Sequence, residues 1–293
     1  MKLVTYKYHE AEYVGLLNPD GDRIAPVGEL GLHYGCMNDL ISGMTEEERR
    51  ALLNAPEKSF TRMLEDVTLL SPIPHPKQDV ICLGLNYTQH ADEAAVYSAD
   101  SFVKKDRRYA VYFAKRVNTS PGPDAPIPAY EGLVDSLDYE VELAVVIGRD
   151  TFRVSRKEVP DCIFGYTILN DVSARNLQTS HTQWYFGKSL DGFTPMGPAI
   201  VTADEIAFPP RLGIRCRVNG ELRQNSTTDM LITGIDEIIS ELSQGMTLQA
   251  GTIIATGTPK GVGMGFDPPK WLHAGDVVEC EIDGIGVLRN PVG

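Results

Sequence analysis

Two acidic residues two positions apart stand at the start of an apolar run, in the segment DYEVELAVVIG at 138–148. If this segment is a strand, Glu140 and Glu142 lie on one face, about 7 Å apart along the chain. Apolar residues follow on both faces, which is typical of a buried strand. Two carboxylates on a buried face are costly unless cations compensate them. A hard divalent ion would do so, and so would Lys or Arg at a sheet edge; the pattern leaves both open.

Asp171 lies between an apolar strand that ends at Leu169 and a helix predicted from Val172. An aspartate at this junction fits a helix N-cap, which needs only a short polar side chain. It also fits a third oxygen ligand held at the end of a strand. Together with Glu140 and Glu142 it would form a three-carboxylate site, which suits Mg²⁺, Mn²⁺ or Ca²⁺ better than Zn²⁺.

Two further groups of side chains are candidates for catalysis. His90 and Glu93 are three positions apart, so on a helix they share one face. Glu93 then orients the imidazole, which can activate a water; an exposed or capping histidine is the alternative. Lys115 and Lys188 are candidate cationic contacts, although most lysines are simply solvated. The GxxxxGK spacing of a phosphate loop is absent around Lys188.

The elements that must position these residues begin with a small N-terminal region. Short strands are predicted in residues 1–32, and a helix with a TEEE capping-box start is predicted within 38–66. Prolines at every second position of 71–77 exclude both helix and central strand. We therefore expect a small N-terminal domain, 1–71, followed by a catalytic domain, 72–293.

β-Structure dominates the predicted catalytic domain. Its apolar runs are separated by turn signals, and only a few segments have the apolar spacing of a helix. The pattern favours a mixed α+β fold that is β-rich and mainly antiparallel. The predicted strands are 79–84, 141–148, 163–169, 211–218, 221–224, 252–256 and 277–289, and the predicted helices are 87–97, 172–180 and 234–243.

Composition limits the classes of function. The 293 residues carry a formal net charge of −13, with 42% hydrophobic and 23% charged residues, as in an ordinary soluble globular protein. No apolar stretch approaches the ~18 residues that cross a bilayer, and the N-terminus lacks a signal-peptide pattern. One short basic cluster, at 104–108, is weak support for nucleic-acid binding. The five scattered cysteines suit free thiols in a reducing compartment. We expect a cytoplasmic protein without membrane or nucleic-acid partners.

A series of short motifs, taken in order and spacing, resembles the fumarylacetoacetate hydrolase family. The resemblance is good over about 75–293 and looser in the N-terminal region. It implies that family's curled β-sheet core with a small N-terminal α/β domain, commonly assembled as a homodimer. The motifs are GLNY at 84–87, His90 with Glu93, YFAK at 112–115, DYEVELA at 138–144, LNDVSARN at 169–176, GKSLDGFTPMGP at 187–198 and ATGTPKGVG at 255–263.

The resemblance also implies roles for the acids and the histidine. Glu140, Glu142 and Asp171 match the residues that bind one Mg²⁺ or Mn²⁺ per subunit in the family. His90 and Glu93 match a catalytic dyad on a mobile lid. The polar stretch from 94 to 111 would be the hinge region of that lid.

Other matched positions would bind the substrate. Lys188 would stabilise an enolate. The glycine-rich run at 256–263 is either an ordinary tight turn or a place where backbone N–H groups approach an anion. The resemblance favours the second, with Gly257 and Thr258 binding the substrate carboxylate.

Four residues are less certain substrate contacts, and the choice between two of them stays open. Family members often have proline after the residue that matches Lys115, whereas this chain has Arg116, so either side chain is a candidate for the substrate contact. Gln183 and Tyr185 are candidate donors in the pocket wall, although the aromatic residues here fit a core equally well.

The resemblance implies a divalent-metal-dependent hydrolase that cleaves a carbon–carbon bond in an acylpyruvate or related β-diketo acid. His90, aided by Glu93, would deprotonate the water that attacks the distal carbonyl, leaving a pyruvate enolate. The same site can decarboxylate oxaloacetate or interconvert keto and enol forms of a 2-oxo acid, and family membership does not choose among these. The retained His90–Glu93 pair favours hydrolysis. A non-catalytic metabolite-binding protein is the alternative of a different class.

Overall fold

The structure is a computed structural model that describes residues 1–97 and 109–293, with side chains described for 1–94 and 109–293. The basic cluster at 104–108 and most of the predicted hinge, 94–111, lie outside these residues. Within the described chain, no helix is long and apolar enough to cross a membrane.

Strands outnumber helices in the described chain, so the prediction of a mixed, β-rich fold is confirmed. Short 3₁₀ turns join several of the elements. The strands are β1 Lys2–Tyr8, β2 Ala11–Leu17, β3 Arg23–Pro26, β4 Arg62–Met63, β5 Thr68–Leu69, β6 Val80–Gly84, β7 Val111–Lys115, β8 Leu137–Asp138, β9 Val141–Ile147, β10 Ile163–Asn170, β11 Ser173–Ala174, β12 Met196–Thr202, β13 Gly213–Val218, β14 Glu221–Thr227, β15 Ile253–Ala255, β16 Val277–Ile282 and β17 Gly286–Pro291. The helices are α1 Met37–Gly43, α2 Glu46–Leu53, α3 Thr88–Tyr97, α4 Arg175–Ser180, α5 Tyr185–Lys188 and α6 Ile235–Ser243.

A large sheet runs through the molecule in the order β4-β3-β2-β1-β12-β10-β9-β15-β6-β7, with β5 pairing beside β1. Its pairs are antiparallel except for β15 with β6. The N-terminal strands continue this sheet, because Leu3 of β1 pairs with Ile200 of β12. Residues 1–71 are thus joined to the rest by main-chain hydrogen bonds, and the domain boundary at 71 stays a prediction.

Strand β9 is central and buried along its whole length. Its odd-numbered residues, such as Leu143 and Val145, belong to one apolar cluster, while Ala144 and Val146 belong to another on the opposite face. A separate four-stranded sheet, β14-β13-β16-β17, contributes buried side chains to the first cluster. The two faces of β9 are therefore covered by different layers, as expected for a strand that is apolar on both sides.

Helix boundaries agree with the sequence except in two places. The capping box forms, since the Thr45 side chain accepts from the Glu48 N–H and the Glu48 carboxylate accepts from the Thr45 N–H. The helix predicted within 38–66 is too long, because α2 ends at Leu53 and Pro56 excludes helix just beyond it. The helix predicted from Val172 begins later, at α4, because β11 pairs with β8 first.

Candidate metal centre and active site

Three buried carboxylates meet at the start of β9. Glu140 and Glu142 project from one face, and Asp171 follows the last residue of the neighbouring strand β10. One oxygen of each lies within 4.8 Å of the others. The Asp171 N–H donates to the Glu140 carbonyl at 2.8 Å, which fixes the two strand ends together. Asp171 is not a helix cap, because α4 begins four residues later with Ala174 at its N-cap.

Cations from three separate elements surround these acids. Lys188, at the end of α5, donates to Glu140 at 2.8 Å and to Asp171 at 2.6 Å. Lys115, at the end of β7, donates to Asp171. Arg175, the first residue of α4, donates to Glu140 at 2.6 Å. These contacts lie within the sheet, since β9 has a partner strand on each side, and so differ from the sheet-edge pairing considered above.

A fourth carboxylate, Asp138, holds Arg175 in place. It accepts from the Arg175 Nε at 2.8 Å and from the backbone N–H groups of Gly263 and Met264 at 2.6 and 3.1 Å. The buried cluster thus contains four carboxylates and three basic side chains, and ionisation of all of them leaves one negative charge. A divalent ion would reverse the sign of that charge and make the cluster attractive to an anionic substrate.

The acids of this cluster differ in their electrostatics. Burial opposes ionisation of Glu140, but Lys188 and Arg175 outweigh it and hold the pKa of Glu140 well below its usual range. Burial, followed by the charges of Asp171 and Glu140, raises the pKa of Glu142 well above its usual range. Glu142 accepts the Gly257 N–H at 2.8 Å but makes no ion pair with any described residue.

These observations fit a hard divalent ion. The donor set consists of carboxylate oxygens, which Mg²⁺ and Mn²⁺ prefer over the nitrogen and sulfur ligands typical of Zn²⁺. Glu140, Glu142 and Asp171 would hold the ion, and its charge would compensate Glu142, the acid that lacks a cation. The predicted grouping of these residues is thus present, while their role as ligands stays a prediction.

His90 and Glu93 face each other on α3. His90 is buried, and its Nδ1 lies 3.0 Å from the Glu93 Oε2. Because a carboxylate accepts hydrogen bonds, the proton of the neutral ring belongs on Nδ1, and Nε2 is left free to accept a proton. The Glu93 oxygens also accept from the Gly261 N–H, at 3.1 and 3.3 Å. This carboxylate therefore connects α3 to the glycine-rich run that ends at 263.

A cleft of about 590 Å³, counting its open mouth, joins the acids to His90. One part of its wall carries polar side chains and another is apolar, which is the usual composition of a small-molecule site. The polar lining is His90, Glu140, Glu142, Arg175, Gln178, Thr179, Lys188 and Thr258. The apolar lining is Leu83, Gly84, Leu85, Ala94, Phe113, Trp184 and Met264.

The choice between Lys115 and Arg116 can be described from their neighbours. The Lys115 side chain is fully buried against Asp171, whereas that of Arg116 is 60% exposed and lies 3.8 Å from Asp79. Neighbouring residues of a strand point to opposite faces, so only one of them can reach the acids. Neither side chain belongs to the lining of the cleft.

The other predicted contacts are divided between the cleft and the surface. The Gly257 N–H is used by Glu142, and Thr258 lines the cleft with its hydroxyl donating to the Val141 carbonyl at 2.9 Å. Gln183 and Tyr185 are exposed and lie outside the lining, which takes Trp184, the residue between them. Their proposed contact with substrate has no geometric support in this conformation.

Sequence reasoning missed several residues of the site. Arg175 and Gln178 are three apart on α4 and hydrogen bond at 2.9 Å, so they share one face. Asp138 lies two positions before Glu140, so strand alternation places both on the same face. Trp184 lies between Gln183 and Tyr185, the two residues predicted to line the pocket wall. The i, i+3 spacing and the alternation of the strand were the available signals for the first three.

Comparisons with known proteins agree with this fold. Residues 79–293 match the family model for the fumarylacetoacetate (FAA) hydrolase C-terminal domain. The chain is 46% identical over 235 residues to the oxaloacetate tautomerase YisK of Bacillus subtilis (strain 168), covering 80% of this chain and 76% of that protein. A fumarylacetoacetate hydrolase from Exiguobacterium antarcticum is 36% identical with a TM-score of 0.85, covering 100% of this chain and 99% of that one.

A third relative carries ligands. Maleylpyruvate hydrolase from Sphingobium sp. SYK-6, solved with manganese (II) and pyruvate, is 30% identical with a TM-score of 0.77, covering 100% of this chain and 98% of that chain. The relatives of this β-rich chain are thus enzymes, and they include a tautomerase and hydrolases. This chain belongs to the fumarylacetoacetate hydrolase family.

Proposed function

We propose that this protein is a divalent-metal-dependent enzyme that interconverts the keto and enol forms of a small 2-oxo acid of the oxaloacetate type. The observation that carries the proposal is the cleft itself, because His90 lines it together with Glu140, Glu142 and Lys188. Removing a proton from the carbon beside a keto group needs a base on one side and positive charge near the keto oxygen on the other. The 46% identity to an oxaloacetate tautomerase supports this choice among the family's reactions.

The residues act as follows in this proposal. His90 accepts the proton from the carbon through Nε2, and Glu93 fixes the ring through Nδ1. Lys188 supplies a fixed positive charge beside the forming enolate; burial opposes its charge, but Asp171 and Glu140 outweigh burial and raise its pKa. The enolate oxygen takes its proton from solvent. One Mg²⁺ or Mn²⁺ held by Glu140, Glu142 and Asp171 would supply Lewis-acid charge stabilisation.

Hydrolysis of an acylpyruvate is the second candidate. It is favoured by the retained His90–Glu93 pair and by the similarity to maleylpyruvate hydrolase. In that reaction His90 takes a proton from water, and the cleaved bond leaves the same kind of enolate. Decarboxylation of oxaloacetate also passes through an enolate but needs no activated water at the cleavage step.

The test is a comparison of three substrate assays with Mg²⁺ or Mn²⁺ present. Wild type and His90→Ala are each tested in three assays. These measure the loss of the enol form of oxaloacetate, the formation of pyruvate from oxaloacetate and the cleavage of acetylpyruvate. We expect tautomerisation to dominate and His90→Ala to lower its kcat by about 10²–10⁴-fold. Faster turnover of acetylpyruvate than of oxaloacetate would replace the first candidate by the second. A His90→Ala enzyme with full activity would contradict both.

We also propose that the protein is a homodimer, as the family resemblance implied. A mass near that of the 32.2 kDa monomer by light scattering at micromolar concentration would contradict it.

A further inference from the structure

The carboxylate of Glu93 occupies a confined space against the turn that follows Gly261. We call this space the seat of Glu93. Its oxygens bond both to the His90 ring on its own helix and to the Gly261 N–H on the turn. This single group thus determines how the imidazole is held and where α3 rests. The seat needs room on the turn side, and Gly265 provides that room.

The geometry at Gly265 is specific to Glu93. A Cβ at position 265 would lie 2.1 Å from the Glu93 Oε1, 2.3 Å from its Cδ and 2.8 Å from its Cγ, and these are the three nearest atoms. The φ of Gly265 is not in the left-handed region, so the backbone itself accepts alanine. Glycine is therefore required here by the side chain of Glu93 and not by the fold of the turn.

Gly261 differs in this respect. Its φ is +101°, and a Cβ there would lie 2.0 Å from the Arg223 carbonyl oxygen. A substitution at Gly261 would collide with backbone and would strain the turn itself. At Gly265 the collision is with the end of a flexible side chain, which can move away without disturbing the core.

We propose that Gly265 is a positioning residue, which keeps the seat of Glu93 open and thereby holds His90 in its reactive orientation. The proposal rests on the function given above, in which His90 is the base. Filling the seat displaces the Glu93 carboxylate, breaks its bond to Gly261 and releases the imidazole from its partner. A small displacement of a catalytic base costs up to about a hundredfold in rate.

The experiment compares Gly265→Ala with Gly245→Ala, an exposed control at which a Cβ meets nothing within 4 Å. We expect Gly265→Ala to lower kcat by about ten- to a hundredfold while KM changes by less than about threefold, with an unchanged melting temperature. The control should match wild type. An unchanged kcat in Gly265→Ala would overturn the proposal.

A second-site variant separates positioning from a general structural effect. Glu93→Asp shortens the side chain by one methylene, about 1.5 Å, and so withdraws Oε1 and Cδ, the two atoms nearest to the alanine Cβ, leaving only the longer contact at Cγ. We expect Gly265→Ala to cost less than about threefold in kcat when it is introduced into Glu93→Asp, because residues in contact are not additive. An equal loss in both backgrounds would show that alanine acts through the turn and would overturn the proposal.

Hydrogen exchange of the Gly261 amide gives a readout that does not depend on the reaction. Glu93 accepts this N–H, so its exchange should accelerate at least about tenfold in Gly265→Ala and not in Gly245→Ala. If wild type turns over none of the 2-oxo acids, the proposed function fails, while the faster exchange still supports the seat. Unchanged exchange would overturn the seat, whatever the activity.

Discussion

Charged residues alternate with apolar ones in two parts of this molecule, with opposite surroundings. In β9 and the residues before it, Asp138, Glu140 and Glu142 are buried, and their cations come from other elements. In the outer four-stranded sheet, Arg217 and Glu281 lie on neighbouring strands, about two-thirds buried, and pair at 2.7 Å beside solvent. The same types of side chain therefore form a buried cluster in one region and a partly solvent-exposed one in the other.

The two regions should differ in how much free energy of unfolding is lost when one partner of an ion pair is removed. A partly exposed ion pair contributes about 0–1 kcal/mol, since water and salt screen both charges. A buried charge has lost its hydration, and removing its partner costs about 3–5 kcal/mol. Burial of four carboxylates beside three cations is thus poor design for stability alone. This cost is what we expect if the cluster serves the metal binding and chemistry proposed above.

The largest effect is expected at Arg175. Its replacement by methionine leaves Asp138 and Glu140 without their shared guanidinium partner, so the free energy of unfolding should fall by about 3–5 kcal/mol. Urea denaturation followed by circular dichroism measures this. A loss below about 1 kcal/mol, the value for a surface pair, would break the distinction between the two regions.

Glu142→Gln tests whether the cluster is built for a cation. The variant replaces a buried carboxyl, whose charged form burial disfavours, by a neutral amide, so the metal-free protein should be at least as stable as wild type. Its affinity for Mn²⁺ should fall by more than about a hundredfold. This is a larger loss than that caused by changing a residue that only hydrogen bonds to the metal ligands. Urea denaturation without metal measures the stability, and titration calorimetry with Mn²⁺ measures the affinity. Undiminished Mn²⁺ affinity would remove Glu142 from the metal centre.

The three acids could be predicted from the sequence because their placement follows local rules. Strand alternation puts Glu140 and Glu142 on one face, and a strand end places Asp171. Tertiary structure answers two of the points left open, since β9 is central and not an edge strand, and α4 starts beyond Asp171. Arg175 was missed although its i, i+3 spacing to Gln178 was visible, since its contact with the acids depends on where that helix begins.

Other misses had the same kind of cause. The choice between Lys115 and Arg116 depends on the phase of β7, which two adjacent cations do not reveal. Trp184, and not its neighbours, lines the cleft because of a short helical turn that carried no periodic signal. The β-rich class was predictable from alternation and turns. The helix predicted at 38–66 starts from a capping box that does form, but it is too long because the end of the helix depends on Pro56.

The pH dependence of metal binding sharpens the difference between the acids. Burial and then the charges of Asp171 and Glu140 raise the pKa of Glu142, so this side chain keeps its proton to higher pH than an ordinary glutamate. Metal must displace that proton, so Mn²⁺ affinity should weaken about tenfold per unit as the pH falls below this raised pKa. Calorimetry in buffers of different ionisation enthalpy measures the proton released. Affinity that is independent of pH, with no proton release, would contradict the assignment.

The smallest effect is expected in the outer sheet, with the same substitution that disrupts the buried cluster. Arg217→Met removes the partner of Glu281, but Glu281 keeps solvent and a contact with Arg215 at 3.3 Å, so neither charge is stranded. The free energy of unfolding should change by less than about 1 kcal/mol, and the change should shrink in high salt. Enzyme activity and Mn²⁺ affinity should stay at wild-type values, since both residues belong to the outer sheet and neither lines the cleft. A loss as large as that in Arg175→Met would mean that burial does not set the cost of removing an arginine here, and the comparison between the two regions would have to be abandoned.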